Sequence, residues 1–339
     1  MNELQRIVAA IETAPAGNAV LATLVMVEGS SYRRPGARML LIGDDQRIGS
    51  ISGGCLEDDV AAHAQQVRRS GRPTAVPYDT TAENDLVWGV GLGCHGVVHV
   101  LVEKLPPRPY WALELRENFL QRKPTELAVL WQSPDPSVLG TRLAAELAAV
   151  PPGLSSTPST GIFRQTIAPP VPLVVFGAGD DAQPLVRLAK GLGWHVCVVD
   201  PRPAFATPGR FPEADGTIVA RAEEAVARID PGAESVAVVM THHYRHDVPL
   251  LRALLPRPLA YLGLLGPRKR AEKILSDIEA AGLAISPEMR ARLYAPVGLD
   301  LGADNPEEVA LAILAEMMAV LAGRDARPLR ERKRPIHAE

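Results

Sequence analysis

Residues 172–200 constrain the fold more than any other stretch. The apolar run PLVVF enters Gly177-Ala178-Gly179-Asp180-Asp181-Ala182, a G-x-G-x-x-A turn, and QPLVRLAKGLG follows at helical spacing. The next apolar run, WHVCVVD, ends at Asp200, 21 residues after Gly179. Strand, glycine turn, helix and strand in this order predict a βαβ unit of the Rossmann type. Gly177 permits the tight turn, Gly179 lets a pyrophosphate approach the backbone, and Ala182 permits close helix–sheet packing. Asp200 is placed to accept hydrogen bonds from ribose hydroxyls. Asp180 and Asp181 favour a helix start but repel a phosphate. Two readings therefore stand together: a dinucleotide site, or a scaffold whose helix is capped by its own acids and whose ligand binding is altered.

Further on, ESVAVVMT and LAYLGLLG read as strands and PRKRAEKILSDIEAAG as a helix. A last helix, PEEVALAILAEMMAVLAG, has Asn305 as N-cap, Pro306 at its first position and Glu308 at its third. Alternating strands and helices predict a doubly wound parallel sheet. The N-terminal half reads as mixed α/β. It has a helix over ELQRIVAAIE, a buried strand over NAVLATLVMVEG and a hairpin turning at Gly43-Asp44-Asp45. A helix over LEDDVAAHAQQVRRSG has acids in its first turn, Arg68 and Arg69 in its last, and Gly71 as its stop. VVHVLVE and PTELAVLWQ read as further strands. The expected fold class is α/β, with an N-terminal mixed α/β domain over 1–150 and a Rossmann-like doubly wound parallel sheet over 170–323. A Pro/Ser-rich linker over 151–169 joins them, and a basic tail covers 324–339.

Composition removes several function classes. The formal net charge is −3, so no global basic field points to nucleic acid or an anionic membrane. Aromatic residues are 4%, too few for base-stacking platforms. No apolar run reaches the ~18 residues that span a bilayer, and the charged N-terminus lacks a secretory core. A cytoplasmic protein is expected. Three cysteines with no C-x-x-C argue against a disulfide framework or zinc ribbon.

Three loops of the N-terminal half carry chemistry-bearing residues. Ser52-Gly53-Gly54-Cys55 precedes the helix beginning near Leu56, where free backbone N–H groups favour an anion. Thiols at helix starts are reactive, so Cys55 is a candidate nucleophile, persulfide carrier or soft metal ligand. Gly89-Val90-Gly91-Leu92-Gly93-Cys94-His95-Gly96 has four glycines in eight residues and a second thiol, Cys94. Gly29-Ser30-Ser31-Tyr32-Arg33-Arg34-Pro35-Gly36 offers hydroxyls, Ser31 among them, and the guanidiniums of Arg33 and Arg34 for phosphate or carboxylate. Together they suggest one site for a phosphorylated, sulfur- or metal-bearing ligand. In the other half, Thr241-His242-His243-Tyr244-Arg245-His246-Asp247 has histidines spaced for a metal on a helix. The segment follows a predicted strand, which favours a substrate or cofactor loop containing His242. Arg268, Lys269 and Arg270 either hold an anion or form a solvated helix start, and Cys197 reads as core.

The sequence resembles the xanthine dehydrogenase accessory factors, the XdhC/CoxI family. The match runs through GSSYRRPGARML, GSISGGCLEDDV, GVGLGCHGVVHVLVE, LVVFGAGDDAQPLVRLAKGLGWHVCVVDPRPAFATPGRFPEA, MTHHYRHDVPLLRALL, LAYLGLLGPRKR and LYAPVGLDLGADNPEEVALAILAEMMAV. Two departures stand out. His95 replaces a glycine of the family's second glycine loop, and Asp180-Asp181 replaces the His-Val/Ile that often follows GAG. The resemblance implies a factor that binds molybdenum cofactor of the molybdopterin type, supports its sulfuration by a cysteine desulfurase and inserts it into the catalytic subunit of a molybdenum hydroxylase. On this reading Ser31, Arg33, Arg34, Gly53, Gly54, Cys55, Glu57, Gly93 and Cys94 serve the cofactor, with Cys55 and Cys94 as possible molybdenum contacts. Gly177, Gly179, Asp200 and His242 would serve a ligand of the Rossmann domain. The alternative is an NAD(P)-dependent oxidoreductase using that domain. A homodimer is the commonest symmetric assembly to expect.

Overall fold

A computed structural model describes residues 2–79, 96–149 and 160–333. The chain divides into two compact units, Met1–Pro169 and Pro170–Glu339.

The first unit contains α1 (Asn2–Thr13), β1 (Ala19–Gly29), β2 (Arg38–Ile42), β3 (Gln46–Gly49), α2 (Glu57–Ser70), β4 (Thr74–Asp79), β5 (Gly96–Lys104), α3 (Tyr110–Gln121), β6 (Thr125–Gln132), β7 (Gly140–Leu143) and β8 (Gly161–Ile167). Five strands form an antiparallel sheet in the order β3-β2-β1-β5-β4, and three form a second in the order β7-β6-β8. The central strand β1 is almost wholly apolar over Ala19–Val27, Thr23 excepted, because both faces of that stretch are covered. Val20, Ala22 and Leu24 pack in the cluster that holds Val60, Ala64 and Val67 of α2. Ala19 and Leu21 face the cluster that holds Ile7 and Ile11 of α1 and Trp111 and Leu115 of α3. Alternating side-chain direction along one strand produces this split. Helix α2 ends as expected, with Gly71 left-handed at φ 70° and its N–H bonded to the Val67 carbonyl at 2.8 Å.

The expected linker needs correction. Of residues 151–169, Gly161–Ile167 is strand β8, paired along β6 from Thr125↔Ile167 to Gln132↔Gly161. Its backbone groups complete the edge of the three-stranded sheet, which local Pro/Ser content does not reveal. The chain division falls between Pro169 and Pro170.

The second unit contains β9 (Pro172–Phe176), α4 (Ala182–Gly191), β10 (His195–Asp200), β11 (Gly216–Val219), α5 (Ala222–Ile229), β12 (Val236–Val239), α6 (Tyr244–Leu254), β13 (Tyr261–Leu264), α7 (Arg268–Ala280), α8 (Pro287–Ala291), β14 (Leu293–Tyr294) and α9 (Pro306–Leu321). All six strands are parallel, in the order β11-β10-β9-β12-β13-β14. Strand order reverses between β9 and β12, the switch point at which ligands bind in open α/β sheets. Leu173 and Val175 face the cluster formed with α4 and α9, while Val174 and Phe176 face that of α5, α6 and α7. At the start of α9, Asn305 Oδ1 accepts the Glu308 N–H at 3.0 Å, and the Glu308 carboxylate accepts the Asp304 N–H at 2.8 Å.

Candidate functional site

In the first unit, pairing gathers the loops that sequence analysis singles out. Strands β3, β1 and β4 end, and β2 and β5 begin, at one end of the five-stranded sheet, where Gly29 pairs with Gly96 and Met39 with Gly49. The 30–37 and 50–56 loops both leave from this end. Tyr32, 66% exposed, lies over the second loop, with ring atoms 3.8 Å from where a Cβ on Gly53 would stand. Arg33 joins the two as well. It donates to Ser50 Oγ at 3.1 Å and to Glu3 Oε2 at 2.9 Å, while Glu3 Oε1 accepts the Ser50 N–H. Gly93 and Cys94 lie outside the described residues. The described residues on either side, Asp79 and Gly96, lie at this end of the sheet.

Glu57 organises the 50–56 loop. Its Oε1 accepts the N–H groups of Ile51 (3.2 Å) and Ser52 (2.9 Å). Its Oε2 accepts the Leu56 N–H (3.2 Å) and the Ser52 hydroxyl. Ser52 Oγ in turn accepts the N–H groups of Gly54 (3.1 Å) and Leu56 (3.2 Å). The N–H groups expected to await an anion are therefore partly filled by the chain's own carboxylate, because Glu57 at the first helical position can fold back over the turn. Burial works to raise the Glu57 pKa, but the Ser52 hydroxyl and the backbone N–H groups outweigh it and hold the carboxyl below its ordinary value. Gly54, at φ 113°, opens onto free space, and Cys55 is exposed at the tip. Ser31 is half-buried. Arg34 is exposed, and its guanidinium has no partner among the described residues, whereas that of Arg33 is committed to Glu3.

Behind these loops lies a residue that sequence analysis does not single out. Arg38 is 3% exposed. Its Nη1 donates to the Gly36 carbonyl and to Gln165 Oε1, both at 2.9 Å, while Nε and Nη2 are buried without partners. It lines a hollow of about 240 Å³ with Arg33, Glu3 and Gln165. Burial draws the Arg38 pKa down to about 10 against the opposing pull of Glu103. Burial also raises that of Glu103, although Thr141 donates to its carboxylate from N–H and, at 2.5 Å, from Oγ1. An arginine opening the apolar strand RMLLI is the available signal.

In the second unit the glycine turn takes its expected path. A Cβ on Gly177, at φ 114°, would stand 2.6 Å from the Met240 carbonyl oxygen. A Cβ on Gly179 would stand 2.5 Å from Asp181 Oδ1. Asp181 Oδ2 lies 2.6 Å from His242 Nε2, and Asp180 Oδ1 lies 2.8 Å from Arg210 Nη2. Asp180 thus has a guanidinium counterion, and Asp181 has a ring nitrogen of His242 as its partner. Asp200 is 1% exposed and fully engaged. Its Oδ2 accepts the Ala178 N–H at 2.9 Å and Arg202 Nη2 at 2.8 Å, and its Oδ1 accepts the Arg202 N–H and Nε. Burial opposes ionisation, yet Arg202 and the two backbone N–H groups keep its pKa below the usual value. His242 lies in the loop after β12 with φ 59°, whereas His246 is in α6, so the two do not share a helix face. Arg270 is committed to the buried Asp247 and to the His242 carbonyl. Cys197 is partly buried, and burial pushes its thiol up to about 11. Among the described residues, no group of three or more His, Cys, Asp or Glu is placed to hold a metal ion, and no helix is long and apolar enough to cross a membrane.

Known proteins match both units. Residues 14–79 match the XdhC and CoxI family, and residues 173–317 match the XdhC Rossmann domain. A Bacillus subtilis (strain 168) protein named as a probable subunit of xanthine dehydrogenase is 36% identical over 318 residues, covering 88% of this chain and 92% of that protein. The molybdenum cofactor insertion chaperone PaoD of Escherichia coli (strain K12) is 28% identical over 313 residues, covering 92% and 86%. A crystal structure described as a xanthine dehydrogenase from Bacillus halodurans superposes with a TM-score of 0.79 at 29% identity, covering 98% of this chain and 99% of that one. Matched in both units and along nearly its whole length, the chain belongs to the XdhC/CoxI family.

Proposed function

We propose that the protein is an accessory factor that binds molybdenum cofactor as cargo, supports its sulfuration and delivers it to the catalytic subunit of a xanthine dehydrogenase-type molybdenum hydroxylase. The observation that carries this reading is the exposed Cys55 thiol on a loop braced by Glu57, at the same end of the sheet as Arg34, whose guanidinium has no partner among the described residues. A soft thiolate suits molybdenum or a transferred sulfur atom. A free guanidinium suits the phosphate of a molybdopterin. The open face of Gly54 leaves room for a ligand to approach the backbone. The relative named an insertion chaperone supports the same role. Cys94 is proposed as a second sulfur group, a cysteine desulfurase as the sulfur donor, and a cytoplasmic homodimer as the working form.

Anaerobic titration with molybdenum cofactor tests the reading, comparing wild type with Cys55→Ala and Cys94→Ala. Near-stoichiometric binding, weakened at least tenfold by Cys55→Ala, is expected. No binding by wild type, with tight binding of NAD(H) or NADP(H) in parallel, would overturn it in favour of an oxidoreductase.

A further inference from the structure

The second unit holds a pocket of about 640 Å³ at the carboxyl ends of β9, β10, β11 and β12. That volume falls within the ~300–1,000 Å³ of small-molecule sites. The pocket lies beside the switch point, on the sheet face covered by α5 and α6. Phe176, Val199, Pro201 and Leu250 give it apolar walls. Its polar groups cluster at two helix starts. Arg221 is the N-cap residue of α5, and Arg245 and His246 belong to the first turn of α6.

The charge arrangement is the reverse of a dinucleotide site. There, a glycine turn leaves the N-terminus of the first helix open to the pyrophosphate. Here Asp181 sits against Gly179 and pairs with His242, Asp180 pairs with Arg210, and Asp200 is consumed by Ala178 and Arg202. Arg202, Arg210 and Arg270 all have carboxylate partners. Arg221 and Arg245 have neither a hydrogen-bond nor an ion-pair partner for their guanidiniums among the described residues. One carboxylate, Glu223, shares their wall and leaves it net positive.

We infer that this pocket binds a nucleoside monophosphate, with the base and ribose against the apolar walls and the phosphate at Arg221 and Arg245, not at the glycine turn. Such a ligand accounts for the two arginines being unpaired while their neighbours are not. It also accounts for the acids at the glycine turn, since no phosphate is asked to sit there. Guanidiniums and helix N-termini together favour a phosphate through charge-assisted hydrogen bonds.

Isothermal titration of the full chain with AMP, GMP, CMP and UMP tests the inference, with NAD⁺, inorganic phosphate and the four unphosphorylated nucleosides in parallel. At least one mononucleotide should bind at one per chain, at least tenfold tighter than its nucleoside and than inorganic phosphate. Arg221→Gln and Arg245→Gln should each weaken it at least tenfold with the circular dichroism spectrum unchanged, and Asp181→Ala should leave it unaltered. Failure of all four to bind would overturn the inference, as would binding indifferent to both arginine variants. Inorganic phosphate binding as tightly as any mononucleotide would also overturn it, by reducing the site to an anion site. NAD⁺ binding tenfold tighter than every mononucleotide, and tighter still in Asp181→Ala, would return the phosphate to the glycine turn. None of these outcomes depends on whether molybdenum cofactor binds the first unit.

Discussion

Replacing Glu57 with Gln tests whether one carboxylate holds the loop that presents Cys55. Four donors converge on it: the N–H groups of Ile51, Ser52 and Leu56 and the Ser52 hydroxyl. Glutamine keeps one acceptor oxygen and turns an NH₂ toward the remaining donors. The less costly rotamer leaves the oxygen on Ile51 and Ser52, because Leu56 retains its bond to Ser52 Oγ; that oxygen already accepts from Gly54 and Leu56, so its proton must turn to water. The variant then loses the charge assistance of the retained bonds and both bonds to Oε2, from Leu56 and the Ser52 hydroxyl. Bonds to a charged acceptor contribute ~1.5–3 kcal/mol each and neutral ones ~0.5–1.5. Glu57 is only partly buried, so water recovers some of the loss. About 2 kcal/mol remains, equivalent to roughly 30-fold in a local opening equilibrium. Hydrogen exchange resolved to the 49–58 segment should show the amides of Ile51 and Ser52 exchanging about 30-fold faster, with β1 and β5 unchanged. The folded-state pKa is depressed, so the stabilisation is present above the unfolded value of ~4.3 and lost as pH falls through the folded value. The variant should lack this acid dependence once intrinsic exchange rates are divided out. Exchange within threefold of wild type at neutral pH, or acceleration spread over the whole unit, would refute the reasoning.

Three further outcomes are expected. Gly177→Ala places a methyl group 2.6 Å from the Met240 carbonyl oxygen at φ 114° and should cost ~3 kcal/mol or more in urea unfolding; a loss under ~1 kcal/mol would count against it. Asn305→Ala removes the acceptor for the Glu308 N–H and should cost ~1 kcal/mol, seen as earlier thermal loss of helicity; an unchanged midpoint would show that the cap contributes nothing. Glu103 has a raised folded-state pKa, so wild-type stability should fall as pH rises from the unfolded value of ~4.3 toward the folded one. Glu103→Gln should flatten that segment of the stability–pH curve, and an unchanged slope would contradict the assignment.

The elements that can be read from the sequence are those whose signals are local. Val60, Ala64 and Val67 mark the buried stripe of α2, Gly71 its end, and the apolar runs of β1, β9, β10 and β12 are long enough to stand out. Strand β4 escapes such a reading because Thr74–Asp79 is a largely exposed edge strand carrying Pro77, a residue an edge tolerates and a central strand does not. Helix α6 escapes it because Pro249 lies within the helix and His242 and His243 precede it as a loop. The site divides in the same way. Cys55, Arg34 and the acids of the glycine turn are legible as residue types. Their partners are not: Arg210 meets Asp180 across 30 residues and His242 meets Asp181 across 61. Gathering the 30–37 and 50–56 loops requires the strand pairing, which no local pattern encodes.

The two glycine turns, on unrelated sheets, share one device. Each creates backbone geometry suited to an external anion, and in each the chain brings its own carboxylate there. Glu57 takes the N–H groups at the start of α2, and Asp181 stands against Gly179 at the start of α4. An external phosphate at either turn would have to displace a carboxylate already held by its own partners, and would meet its charge at close range. The guanidiniums of Arg34, Arg221 and Arg245, which have no partner among the described residues, carry no such penalty. On the two proposals above, anions would be recognised beside the glycine turns, and the turns themselves would hold the loops in place. On the proposed function, Glu57 would be the residue that positions Cys55 and Arg34 the residue that would meet cargo. Glu57→Gln should therefore alter the ordering of the loop more than affinity for a phosphate, and Arg34→Ala should do the reverse.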